Sequence, residues 1–286
     1  MPMTDGPDTR ASVAATSVPG TLHRSLSLWN SLTIGFATVS PVAGLYAIIG
    51  VQTVVTGGGW FSALALCLVM QLLVATVYAE LSSQMPIAGG AYKWARQLGG
   101  ATTGTYAGAI YVSSTIAMLT TTAYTGGVWL AIFFGSGGGT GVSLVIWGAV
   151  FMLVCTVLNL VHVTVFKFLI SLGVYAEIVG SFGVALLLFF FFRQHGLSEL
   201  FAHLGTGTAP GQTAAFLAAL AISGWAFIGF DACSTIAEET REPKRMVPRA
   251  IFLSLCMVGS VVLFNSAALT LSFNPDTLRH TSAASD

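Results

Sequence analysis

Long apolar stretches, separated by short polar or glycine-rich breaks, set the plan of this chain. No Asp, Glu, Lys or Arg occurs between residues 25 and 79. A helix needs roughly 20 apolar residues to cross a bilayer core, so this stretch holds two spans. Gly57-Gly58-Gly59 marks the turn between them. A second uncharged stretch, 97–166, is divided by Gly135-Ser136-Gly137-Gly138-Gly139. The predicted helices are 28–54, 60–80, 102–134, 142–163, 167–192, 213–239 and 249–272. Their apolar runs are continuous. Membrane β-barrels show short alternating segments instead, so the expected class is an all-α membrane protein with about seven transmembrane helices.

Composition narrows the picture further. Hydrophobic residues make up 55% of the 286 positions and charged ones 8%, against roughly 25% charged in soluble domains. A polar surface cannot be built from so few charges. Eleven basic residues balance eleven acidic ones, which leaves no basic footprint for nucleic acid. Cys67, Cys155, Cys233 and Cys256 all fall in apolar stretches, unlike a disulfide framework. The partner implied instead is the lipid bilayer. Residues 1–27 are rich in Ser, Thr, Pro and Ala, lack the apolar core of a secretory signal, and are expected to form a flexible cytosolic tail. Nine of the eleven Lys and Arg residues fall on one side of the predicted spans; only Arg193 and Arg279 fall on the other. Positive charge stays inside, so the N-terminus is expected to be cytoplasmic.

Two spans carry interruptions. Pro41 is the only proline deep inside a span, in Ser40-Pro41-Val42-Ala43-Gly44-Leu45. Proline removes a helical hydrogen bond and clashes with the preceding turn, which permits either a plain kink or a full break. Helix 6 contains Gly224-Trp225-Ala226-Phe227-Ile228-Gly229-Phe230-Asp231. An ionisable residue inside a span marks a bundle interior or a pathway. Asp231 also suits the N-cap of a restarting half-helix, its carboxylate accepting an amide from Cys233 or Ser234; the two roles are compatible. Interrupted helices in corresponding positions, here 1 and 6, point to an inverted-repeat transporter. A half-helix N-terminus exposes N–H groups that suit a carboxylate, and a half-helix C-terminus exposes carbonyls that suit an ammonium group or a cation.

These stretches resemble a known family. Ser40-Pro41-Val42-Ala43-Gly44-Leu45-Tyr46 is similar to the interrupted first helix of permeases of the amino acid–polyamine–organocation superfamily, nearest its GABA and choline permease branch. The run 79–92, Ala-Glu-Leu-Ser-Ser-Gln-Met-Pro-Ile-Ala-Gly-Gly-Ala-Tyr, resembles that family's loop after helix 2. The run 225–231, followed by Ala237-Glu238-Glu239-Thr240-Arg241-Glu242-Pro243 and Val247-Pro248-Arg249-Ala250-Ile251, resembles its helix 6 and the cytosolic connection. The resemblance implies transport of an amino acid or related small amine by alternating access in the inner (plasma) membrane, coupled to a proton or sodium ion. It implies a substrate site from Ser40, Val42, Ala43, Gly44, Trp225, Phe227, Ile228, Gly229 and Asp231, with Tyr46 and Phe230 as aromatic gates. In this scheme the Ala43 and Gly44 amides take the carboxylate, and carbonyls near Trp225, Phe227 and Ile228 take the amino group. Family members have about twelve helices, two five-helix inverted repeats plus two extra, so the resemblance implies a partial five-plus-five inverted-repeat fold with helices 1 and 6 broken. The chain is therefore expected to be the N-terminal part of such a permease: tail 1–27, first repeat 28–192, extracytoplasmic connection 193–212, and a truncated second repeat 213–286 without helices 8 and 10. A part of this kind is expected not to transport alone.

Other residues were weighed for chemistry. Glu177, mid-helix 5, is a candidate for ion coupling or a buried, hydrogen-bonded structural residue. For a cationic cargo, Asp231 is the carboxylate this reading places near the site. His162 reads as interfacial, Pro248 as a first-turn residue of helix 7, and the charged segment 238–249 as a solvated connection or a cytosolic gate. No His-Glu-x-x-His or Cys-x-x-Cys pattern supports a metal site, no phosphate-binding loop supports a nucleotide cofactor, and no nucleophile elbow supports an enzyme.

Overall fold

The computed structural model describes residues 26–135, 141–160, 163–202, 204 and 206–273. Residues 1–25 of the tail, His162 and the side chain of Lys167 lie outside the described residues. Seven helical segments of the described residues are long and apolar enough to cross a membrane. Among the described residues extended backbone pairs only as two isolated bridges, Leu26 with Thr240 and Gly57 with Leu204.

The first span is two helices, α1 (Leu28–Val39) and α2 (Pro41–Thr56). Ser27 caps α1, its hydroxyl accepting the Asn30 N–H at 3.4 Å. Pro41 has no N–H to give the Ala37 carbonyl, and α1 stops there. Ser40 takes a left-handed conformation (φ 49, ψ 89), and Pro41, with its fixed φ, opens α2. The interruption is a break, and the plain-kink alternative falls.

The next three spans are α3 (Phe61–Gln84), α4 (Gly90–Phe133) and α5 (Val142–Leu160). The predicted helix 3, starting at 102, corresponds to α4 beyond a kink at Gly100 (φ 84, ψ −179). The helical segment before that kink was expected to be loop. It carries Lys93 and Arg96 and is anchored by Trp94, whose indole N–H donates to the Met85 carbonyl at 2.9 Å. α6 (Val163–Phe191) is the fifth span.

The sixth span is interrupted like the first. α7 (Gln212–Ser223) passes into a 3-10 turn, Gly224–Phe227, then extended Ile228, and Gly229 at φ 100. A four-residue helix, α8 (Ala232–Thr235), and a second 3-10 turn complete it. α9 (Pro243–Ser272) is the seventh span. It starts six residues earlier than the predicted 249. Pro243 therefore holds the first-turn position, and Pro248 lies inside the helix, which corrects its reading as the opening residue.

α9 is the hub, packing against α1, α3 and α6. Phe36, Leu64, Phe227, Ile251 and Leu255 form its buried surroundings. Lipid is as apolar as leucine, so helices in a bilayer associate through close approach and polar contacts. A methyl group at Gly259 would lie 2.5 Å from the Leu68 methyls. Asn265 Nδ2 donates to Ser181 Oγ at 2.8 Å, tying α9 to α6. Gln52 Nε2 donates to the Ala219 carbonyl at 3.1 Å and to Ser223 Oγ at 3.0 Å, tying α2 to α7.

At the opposite end of the bundle, the Leu26 amide donates to Glu239 O at 3.1 Å, and the Arg241 amide donates to Leu26 O at 2.9 Å. Glu238 Oε1 accepts the Ala88 N–H at 2.9 Å and lies 3.8 Å from Lys93 Nζ. The charged connection thus joins the start of the first span to the loop between α3 and α4.

Candidate functional site

The two breaks meet. A methyl group at Gly44, in the first turn of α2, would come within 3.2 Å of the Ala226 Cα and carbonyl oxygen. Gly229 packs as closely against the end of α1: a methyl there would lie 3.0 Å from Thr38 Cγ2. Its φ of 100 lies in the region that favours glycine.

Two adjoining cavities open beside this contact. One, about 560 Å³, is lined by Ser40, Val42, Ala43 and Tyr46 of the first span, Trp129 of α4, and Ala176, Glu177, Gly180, Ser181 and Val184 of α6. The other, about 420 Å³, is lined by residues 37–40, 43, 44 and 47, by Met118, Thr122, Thr125, Gly126 and Trp129 of α4, Phe151 of α5, and Trp225 and Ile228 of the sixth span. Ser40, Ala43 and Trp129 border both. Such sizes fall in the range of small-molecule pockets.

Hydrogen bonding at the break is specific. Glu177 Oε1 accepts the Ser40 hydroxyl at 2.8 Å and the Val42 N–H at 2.9 Å. A helix leaves its first N–H groups unpaired. In α2, Pro41 has none, Glu177 takes that of Val42, and Ser40 O takes that of Gly44 at 2.8 Å. The Ala43 amide has no partner among the described residues. At the end of α1, Phe36 O accepts the Ser40 N–H at 3.0 Å, whereas Ala37 O faces a proline in the register. The Thr38 and Val39 carbonyls likewise have no main-chain donor across the break.

Of the residues expected at the site, Ser40, Val42, Ala43, Gly44, Tyr46, Glu177, Trp225 and Ile228 line the cavities. Phe227, Gly229, Phe230 and Asp231 do not. Phe227 is fully buried in the core. Phe230 belongs to an aromatic row: its ring meets Tyr78 edge-on at 5.5 Å, and Tyr78 meets Trp94 at 5.6 Å. Asp231 stands at the N-cap position of α8, yet its carboxylate makes no capping bond. Its φ and ψ of −76 and −8 are helical, where capping needs extended backbone. The Asp231 carbonyl does the work instead, accepting the Ser234 N–H at 2.8 Å and hydroxyl at 2.7 Å. The carboxylate that borders one of these two cavities is that of Glu177; that of Asp231 borders neither.

The α4 lining was missed. Met118, Thr122, Thr125 and Trp129 recur at spacings of four, three and four, one face of a helix. Polar threonines with one tryptophan on that face were the available signal.

The family model described as amino acid permease matches residues 26–285. The chain is 26% identical over 285 residues to the aspartate-proton symporter of Bacillus subtilis (strain 168), covering 92% of this chain and 51% of that protein. It is 27% identical over 271 residues to the low-affinity putrescine importer PlaP of Escherichia coli (strain K12), covering 90% and 56%. It is also 27% identical over 271 residues to the branched-chain amino acid permease BcaP of Bacillus subtilis (strain 168), covering 90% and 57%. The chain thus spans about half the length of these curated relatives. With a match over nearly its whole length, and with seven helices long and apolar enough to cross a membrane, the chain belongs to the amino acid permease family.

Proposed function

We propose that the chain is the cargo-binding part of a secondary-active carrier that moves amino acids across the inner (plasma) membrane by alternating access. The observation that carries this reading is the meeting of two broken helices beside cavities of small-solute size. The names of the relatives support it, since they are permeases, symporters and importers. The N-terminus is cytoplasmic, 28–192 is the first five-helix repeat, 193–212 the extracytoplasmic connection and 213–286 the start of the second repeat. A proton is the coupling ion, by analogy with the aspartate-proton symporter. The role is transport, with no enzymatic step.

Uptake tests the proposal. The chain is reconstituted into liposomes, and entry of tritiated leucine, aspartate and putrescine is followed under an imposed pH gradient or sodium gradient. A protein of relative-like length serves as control. Gradient-driven uptake by the longer protein together with saturable binding by this chain supports the reading. No binding of any of the three removes it.

A further inference from the structure

We propose that Glu177 is the cargo-recognition group of this site, and that it selects an ammonium group and makes a cargo carboxylate dispensable. This rests on the reading of the cavities as the cargo site. In the ordinary polarity of a broken helix, the N-terminus of α2 would hold an anion and the end of α1 a cation. Here the protein supplies the anion itself. One oxygen of Glu177 takes both the Val42 N–H and the Ser40 hydroxyl, the two donors nearest the break. The other oxygen, Oε2, has no partner among the described residues.

Among the described residues no Lys or Arg pairs with Glu177, and the ion pair found is that of Lys93 with Glu238, at the end of the bundle. A carboxylate inside a span is costly without a partner. The rest of the larger cavity is mostly apolar, and Tyr46 and Trp129 are aromatic residues of a kind that tolerate a cation beside them. The adjoining cavity is bordered by Ala37, Thr38 and Val39, whose carbonyls at the C-terminal end of α1 lack main-chain donors among the described residues. The end of α1 is a C-terminus and favours positive charge; at the start of α2 the full charge of Glu177 outweighs the partial charge of the helix end, where the Ala43 N–H is the donor left without a partner among the described residues. The missing counter-charge is an ammonium ion brought by the cargo.

The test compares three ligands on one carbon chain: norleucine, pentylamine (its decarboxylated form) and hexanoate (its deaminated form). Binding is measured by calorimetry on the purified 286-residue chain in nanodiscs. Pentylamine is expected to bind within threefold of norleucine or tighter, and hexanoate at least tenfold more weakly. Glu177→Gln keeps an acceptor for Val42 and loses the charge; it is expected to weaken pentylamine at least tenfold. Norleucine binding more than tenfold tighter than pentylamine would leave the cargo site standing and overturn the assignment of Glu177. So would an unchanged pentylamine affinity in the folded Glu177→Gln variant. Binding of none of the three would overturn the cargo site itself. Because the three-ligand comparison uses the unaltered chain, it decides the matter even where the variant fails to fold.

Discussion

Gly229→Ala separates a required break from an incidental one. Gly229 sits at φ 100 in the sixth span, with Thr38 Cγ2 only 3.0 Å from where a methyl would be. A left-handed conformation costs a residue with a Cβ about 1–2 kcal/mol, and overpacking adds about 1–3 kcal/mol. The methyl can be relieved partly by a shift of the Thr38 side chain, so a total of about 2–3 kcal/mol is expected, near the low end of the sum. Gly224 is the internal control. It lies five residues away in the same interrupted segment, has φ −55 and ψ −33, and a methyl there meets nothing within 4 Å. Gly224→Ala should be neutral or stabilising by about 0.4–1 kcal/mol, because alanine narrows the unfolded ensemble. Unfolding both variants with SDS in mixed micelles, followed by far-ultraviolet circular dichroism, measures the difference. A gap of about 3 kcal/mol is expected from these two terms. Equal stabilities within about 0.5 kcal/mol, the scatter of an ordinary surface substitution, would refute the idea that the break at Gly229 requires a glycine for its backbone conformation and its contact with α1.

Further outcomes follow from the same contacts. A double-mutant cycle on Asn265→Ala and Ser181→Ala should give a coupling of about 0.6 kcal/mol, the usual scale for interhelical hydrogen bonds in bilayers, measured by the same unfolding assay. Zero coupling would mean the bond between α6 and α9 contributes nothing. Lys93→Ala should cost under about 1 kcal/mol, since the pair with Glu238 is solvent-exposed. Glu238→Ala should cost more, about 1.5–3 kcal/mol, because it also removes the acceptor of the Ala88 amide. Gly44→Ala should wedge the two breaks apart at Ala226 and lower stability by about 1–3 kcal/mol; a neutral result would show that the approach of α2 to the sixth span is loose.

Much of this fold is visible in the residues themselves. Seven apolar runs mark seven spans, and the first and sixth are interrupted around Pro41 and Gly229, as their residues suggest. The departures have local causes. The helical segment before Gly100 carries Lys93 and Arg96, so its charge hid it among loop residues, although Trp94 anchors it. α9 begins at Pro243 because Glu242 turns left-handed at φ 42, a conformation composition does not reveal. Half of the site was legible for the same reason as the breaks: proline and glycine mark backbone chemistry. The other half depends on packing. Trp129 and Thr122 look like any lipid-facing residues until α4 is set beside the first span. The partner of Glu177 could not be read from sequence either. It comes from residues 135 and 137 positions away, and only the fold brings them within 3 Å.

The central claim is that cargo sits between the breaks of the first and sixth spans. Ala43 borders both cavities and its amide has no partner among the described residues, so it is the position to probe. With Cys67, Cys155, Cys233 and Cys256 replaced by alanine, Ala43→Cys is exposed to a water-soluble thiol reagent in nanodiscs, with and without saturating norleucine or pentylamine. Ala43→Cys is expected to react, and at least one of the two ligands to slow the reaction several-fold. An Ala43→Cys thiol that reacts at the same rate with both ligands present would contradict it.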